Sequence, residues 1–198
     1  PLHDGQPPVT CFSFVEKKQG ETSSRIHVME INKPASGQKF KATSEIQYAP
    51  EAQNDFPVAM HLLTKYGVVA MVTKFGYLYL FETTAANLIY RSRLCEDTIF
   101  VTCRTSRFDG MLAVNRRGHV MGITIDENNL VSYINSVCRH ISDANQVSFR
   151  LAQRFQLHGA DELFLQQFNR LLGSGDVKGA ARIAAGAPGT LLRKQETI

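Results

Sequence analysis

The sequence predicts an incomplete set of β-propeller blades followed by an α-helical zigzag of the α-solenoid kind. Three observations carry that reading. Short apolar segments of period two, separated by turn residues, fill the amino-terminal part. Two of these groups superimpose on each other with an offset of 42–43 residues. Near Asp143 the apolar period changes from that of a strand to that of a helix.

The elements follow in order. CFSFVE (11–16) alternates apolar with small or polar residues, and RIHVMEI (25–31) places Ile26 and Val28 on one side, so both read as strands. From Val58 the segments VAMHLL, GVVAMVT, GYLYLFE and LIYRSRL form an antiparallel meander. TIFVTCR, GMLAVN, GHVMGITI and LVSYIN repeat it. Laying GVVAMVTKFGYLYLF over GMLAVNRRGHVMGITI puts Gly67 on Gly110 and Gly76 on Gly118, spacings of 43 and 42 residues by subtraction. Four-stranded repeats of about 40–45 residues are the signature of propeller blades. FSFVEKKQGETSSRIHVMEI fits the same scheme with a longer turn, giving two clear blades and a weaker one. A propeller closes with at least about four blades, so further blades are expected upstream, and the start at Pro1 reads as the middle of a longer chain.

In DANQVSFRLAQRFQL, Val147, Leu151, Ala152 and Phe155 recur at helical spacing. ADELFLQQFNRLL carries a broad stripe of Ala160, Leu163, Phe164, Phe168, Leu171 and Leu172. Gly159 separates these two helices, Gly173-Ser174-Gly175 ends the second, and Asp176 is placed to cap a third, VKGAARIAA, before Gly186 and Pro188. The small residues Ala180, Ala181, Ala184 and Ala185 allow close helix approach. The expected division is therefore 1–142 for the blades and 143–198 for the helices.

Composition narrows the function classes. The 198 residues are 43% hydrophobic, ordinary for a folded protein, and 22 basic against 18 acidic residues give a net charge of only +4, spread along the chain. That balance does not by itself imply nucleic acid. Cys11, Cys95, Cys103 and Cys138 form no C-x-x-C pair or regular framework, which points to a reducing compartment. No apolar run is long enough to span a bilayer, and a cytoplasmic placement is expected.

Candidate chemistry is sparse. Cys11 and Cys103 sit inside apolar strand patterns and read as small buried residues rather than nucleophiles. His3, His27, His61, His119, His140 and His158 are scattered, with no pair at metal-ligand spacing. Glu51 and Asp55 resemble a carboxylate pair, but two acids in a loop between Pro50 and Pro57 read as solvated, with Asn54 and Asp55 bonding backbone groups as the chain crosses into VAM. Phe75, Tyr77, Tyr79 and Phe81 alternate and read as sheet-packing residues, not a base-stacking platform. The turn Asn115-Arg116-Arg117-Gly118 is the best local candidate for binding an acidic peptide, because arginine presents a planar fork to carboxylates or phosphate, although on residue types alone a charged hairpin tip is the favoured reading.

PEAQNDFPVAM (50–60), TKFGYLYLFE (73–82), DTIFVT (97–102), VNRRGHV (114–120) and GADELFLQQFNRLLGSGDVKGAARIAAGAPGTLLR (159–193) together resemble the clathrin heavy chain family, over nearly the whole chain and least over 1–45. The resemblance implies the last blades of a seven-bladed amino-terminal propeller and the start of the helical linker leading into an α-solenoid leg. It implies a structural coat subunit and not an enzyme, with no cofactor and no metal. In that family three heavy chains join into a triskelion, clathrin light chains bind the leg, and lattices form at the cytoplasmic face of coated pits and vesicles of the plasma membrane and trans-Golgi network. The propeller binds linear motifs of adaptor proteins in grooves between blades, so membrane contact is indirect, and the role is vesicle-mediated transport and endocytosis. The family's best-known grooves lie in earlier blades, and its trimerisation and light-chain sites lie beyond Ile198. A further groove lies where the last blade meets the first, and the family's Asn-Arg pair there looks like Asn115 and Arg116, which are the expected peptide-binding residues. Another propeller-plus-solenoid trafficking scaffold is the alternative within this class. A nucleic-acid-binding module, whose affinity would depend on salt and on Arg116 and Arg117, is the alternative from another.

Overall fold

Strand-forming segments separated by tight turns pair with their sequence neighbours. The computed structural model describes residues 9–17, 23–31, 39–105, 107, 109–137, 144–155, 157, 159–187 and 191–192, and the chain divides into two compact units, one through Thr124 and one from Ile125. The boundary expected between 142 and 143 lies outside the described residues.

The first unit holds three blade-like antiparallel sheets. β1 (Cys11–Glu16), β2 (Ser24–Glu30) and β3 (Lys41–Ile46) form the first, in that order. A single 3-10 turn, Pro50–Ala52, leads to β4 (Pro57–Leu63), β5 (Val68–Thr73), β6 (Tyr77–Glu82) and β7 (Leu88–Arg93), the four-stranded second sheet. β8 (Ile99–Thr105), β9 (Gly110–Asn115) and β10 (Val120–Thr124) make the third. β4 packs against β8 of the third sheet and touches β1 of the first.

The second sheet lies between the other two, and its central strands pay no heed to alternation: every residue of β5 and β6 is buried. Strand pleating still sorts them by face. Val69 pairs with Phe81 and Met71 with Tyr79, and these four, with Tyr77, pack on Ile26, Val28 and Ile46 of the first sheet. Tyr79 and Phe81 stack with centroids 6.4 Å apart, and Tyr48 meets Tyr79 edge-on at 6.1 Å. Val68, Ala70 and Val72, of opposite parity, pair with Glu82, Leu80 and Leu78 and are buried too.

The 42-residue offset is visible atom by atom. In the β5–β6 turn, Gly76 N donates to Thr73 O at 3.1 Å, and Lys74 N to Phe56 O at 3.0 Å. In the β9–β10 turn, Gly118 N donates to Asn115 O at 2.9 Å, and Arg116 N to Thr98 O at 2.9 Å. Gly76 and Gly118 both take positive φ, 84° and 81°, the left-handed position that follows a type I turn in such hairpins. Gly67 also has positive φ, whereas Gly110 begins β9 without it.

The second unit contains α1 (Glu127–Val137), α2 (Ala144–Phe155), α3 (Asp161–Gly173) and α4 (Val177–Gly186), with α1 packed on α2 and α3 on α4. LVSYIN, expected as the fourth strand of the last blade, is instead the body of α1. The reason is helical burial: Leu130, Val131 and Ile134 are all inside, and Asp126 opens the helix by accepting Asn128 N on its side chain at 3.1 Å. The other helices follow their sequence signals. Val147, Leu151 and Ala152 of α2 are buried, as are Ala160, Phe164 and Phe168 around α3. The side chain of Phe155 lies outside the described residues, and of the four small residues in α4 only Ala180 is fully buried.

Candidate functional site

The β9–β10 hairpin is built on Asn115. Its side chain is 4% exposed, and Oδ1 accepts from Arg117 N and from His119 N, both at 3.0 Å. An Asx bond of this kind closes the turn from inside, which is why asparagine suits the position. The consequence is that Arg116 and Arg117, at the two central positions, project outward together. Their side chains are 63% and 66% exposed. Asp97, at the entry to β8, lies between them: Arg116 Nε is 3.6 Å from Oδ1 and Arg117 Nε is 3.0 Å from Oδ2. The hairpin tip therefore carries two guanidinium groups over one half-buried carboxylate, a net positive edge at a strand turn. Of the expected pair, Arg116 is exposed and paired with Asp97, and Asn115 supports the turn through its oxygen.

Subtracting 42 from Asp97 gives Asp55, and the repeat has put that carboxylate to different use. Asp55 is fully buried, and its Oδ1 accepts from Phe56 N at 2.8 Å and Phe75 N at 3.1 Å. The expected bonding of Asp55 to backbone groups is thus present, but its expected solvation is not: the β5–β6 turn folds over it. Glu51, exposed, accepts from Tyr77 Oη at 2.5 Å. That bond holds the Glu51 carboxyl below its ordinary range and pushes the Tyr77 phenol up. Burial drives the Tyr79 phenol to about 12, against the opposing effect of Ala49 N, which donates to its oxygen at 3.3 Å. Glu51 and Asp55 thus bond to separate partners, a phenol and two main-chain amides, rather than to one another's proton. Ala49, before Pro50, is extended (φ −59°, ψ 142°), as its neighbour requires.

The remaining candidates are dispersed. Cys11 is half-buried, and burial raises its thiol pKa, with Glu30 adding to the effect, which disfavours the thiolate a nucleophile needs. Cys103, expected to be buried, is exposed, because β8 is an edge strand that also leaves Phe100 and Val101 in solvent. Cys95 Sγ donates to Asp97 O at 3.0 Å. His27 bridges Glu16 and Thr43, each at 3.0 Å, and stacks on Phe14 at 4.7 Å. His61 Nε2 lies 2.6 Å from Thr102 Oγ1, across the junction of the second and third sheets. His119 is exposed at the hairpin, while His3, His140, His158 and Cys138 lie outside the described residues. Among the described residues no group of three or more His, Cys, Asp or Glu side chains could hold a metal ion. Tyr77, Tyr79 and Phe81 are buried in the sheet as expected, and Phe75 sits in the turn, 38% exposed.

Comparison with known proteins places these features in one family. The Clathrin-H-link family matches residues 156–198, which contain α3 and α4. A clathrin heavy chain of Drosophila melanogaster is 39% identical over 193 residues, 96% of this chain. The chain belongs to the clathrin heavy chain family. Clathrin heavy chain 2 of Homo sapiens is 37% identical, and the clathrin heavy chain of Dictyostelium discoideum 39%, each again over 96% of this chain. The chain spans 11% of the length of each of these clathrin heavy chains. Among the described residues no helix is long and apolar enough to cross a membrane.

The Asp97 carboxylate beneath the two arginines escaped the sequence reading. A signal for it existed: the 42-residue offset carries Asp55 onto Asp97 as surely as it carries Gly76 onto Gly118.

Proposed function

We propose that this chain is part of a structural, non-enzymatic subunit of a clathrin coat, and that its blades bind short acidic motifs of adaptor proteins at the β9–β10 hairpin. The single observation that supports the coat role is the 37–39% identity to clathrin heavy chains across 96% of the chain, blades and helices together. On this reading it works at the cytoplasmic face of coated pits and vesicles, meets the membrane through adaptors, and joins other heavy chains and light chains through regions outside these residues.

Of Asn115 and Arg116, Arg116 makes the peptide contact by offering a guanidinium, and Asn115 serves it by fixing the turn. Arg117 shares the edge. An arriving carboxylate competes with Asp97 for both arginines, so each contact is weak and capture depends on several motifs acting together. The coat role is tested by fractionating source cells with an antibody raised to residues 159–187. A very large subunit sedimenting with coated vesicles is expected. A small, wholly soluble band would overturn the assignment. The site is tested by titrating acidic adaptor peptides into the chain carrying Arg116→Gln, where unchanged affinity would remove the hairpin from the interface.

A further inference from the structure

A cleft of about 430 Å³ opens between α2 and α3, inside the helical unit and independent of the hairpin. It exists because α3 has two working faces. Phe164 and Phe168 turn into the buried interior, and the adjoining row Leu163, Gln166, Gln167 and Arg170, spaced i, i+3, i+4 and i+7, faces α2. From α2 come Phe149 and Arg150. Phe149 rests on buried Phe164, with ring centroids 4.7 Å apart, and gives the cleft a fixed apolar floor beside Leu163.

The chemistry of the wall is one-sided. Among the described residues it holds two guanidinium groups and no carboxylate. Arg150 Nε is sealed from solvent and, among the described residues, has no hydrogen-bond partner. A buried guanidinium N–H ordinarily finds an acceptor, so a turn of the Arg150 side chain toward a carboxylate in the cleft would gain a bond that the described residues do not supply. The amides of Gln166 and Gln167 both donate and accept, which suits an extended main chain lying along α3. The volume falls within the ~300–1,000 Å³ usual for ligand clefts.

We propose that this cleft docks a short acidic segment of a partner protein, carrying a large apolar side chain onto Phe149 and Leu163 and carboxylates to Arg150 and Arg170. Charge complementarity selects the acid, and the apolar floor selects a peptide over a run of sugar and phosphate.

The test uses the full chain carrying Arg116→Gln and Arg117→Gln, so that the hairpin does not compete. A fluorescein-labelled decapeptide of Asp and Glu with one central Phe is titrated by polarisation, beside its Lys counterpart and a version with Gly for Phe. The acidic Phe peptide is expected to bind, more weakly as salt rises, and the Lys peptide not to bind. Arg150→Gln and Arg170→Gln are each expected to weaken binding about tenfold, the scale of one charge-assisted hydrogen bond. Arg170 is exposed, so its variant reports on binding even if the Arg150 variant unfolds. The proposal is overturned if the acidic peptide does not bind, if the Arg170 variant binds it undiminished, or if the Gly version binds equally well. Stronger binding of an oligonucleotide or of anionic phospholipid vesicles than of the peptide would also overturn it.

Discussion

Asp55 is the clearest case of a single side chain holding local structure together. Its carboxylate serves two main-chain N–H groups that the chain has taken out of water. Asp55→Ala leaves Phe56 N and Phe75 N without an acceptor, and a loss of about 2–3 kcal/mol is expected from urea unfolding, whereas Asp55→Asn, which keeps Oδ1, loses clearly less. His61 gives the pH counterpart. Burial, with Arg104 adding to it, lowers the pKa of this imidazole from the ordinary 6.5. The folded state therefore favours the neutral ring, and the unfolded chain binds the proton first as pH falls. Stability is present above pH 6.5 and declines as pH drops through that value toward the lowered one. Urea midpoints at closely spaced pH values should show this decline, and His61→Gln should flatten it while retaining a partner for Thr102. An unchanged profile in the variant would assign the pH dependence to other groups.

At the scale of elements, the two repeated turns make a controlled pair. Gly76 and Gly118 have nearly equal φ, yet a Cβ on Gly76 would stand 2.2 Å from Cys95 O, while one on Gly118 meets nothing within 4 Å. Gly118→Ala is expected to cost only the backbone term, about 1–2 kcal/mol. Gly76→Ala should cost several-fold more, and equal losses in thermal unfolding would mean that the second sheet yields freely around Cys95. The same comparison explains what was legible in the sequence. Strands such as VVAMVT and YLYLFE carry enough large apolar residues to declare themselves. β3, KATSEI, has one large apolar residue and exists through pairing with β2, a contact its own sequence does not record. LVSYIN is rich in residues that favour strands, and tertiary burial of Leu130, Val131 and Ile134 overrode that preference. At the candidate site, turn composition singled out Asn115-Arg116-Arg117-Gly118 and the resemblance narrowed it to Asn115 and Arg116, but the inward use of Asn115 and the counter-charge of Asp97 depend on strands brought together in space.

For the whole molecule, the third sheet leaves Phe100, Val101 and Val120 exposed, at 71%, 56% and 66%. Large apolar side chains left this exposed favour association. Phe100→Ser is expected to lower concentration-dependent self-association in sedimentation velocity while changing the unfolding free energy by no more than about 0.5 kcal/mol. A variant that associates as before would show that the contact lies elsewhere. The helical unit is organised differently, by what happens at Asp176. Gly175 N donates to Leu172 O and Asp176 N to Leu171 O, each at 3.0 Å, which closes α3. The same aspartate then opens α4, accepting Gly179 N on Oδ1 at 2.9 Å and Ala180 N on its carbonyl at 3.0 Å. One residue is thus the last bond of one helix and the first of the next, with no slack chain between them. Tension applied along α4 passes to α3 through main-chain bonds rather than being absorbed by a loop, so the pair behaves as a stiff elbow that transmits force and torque.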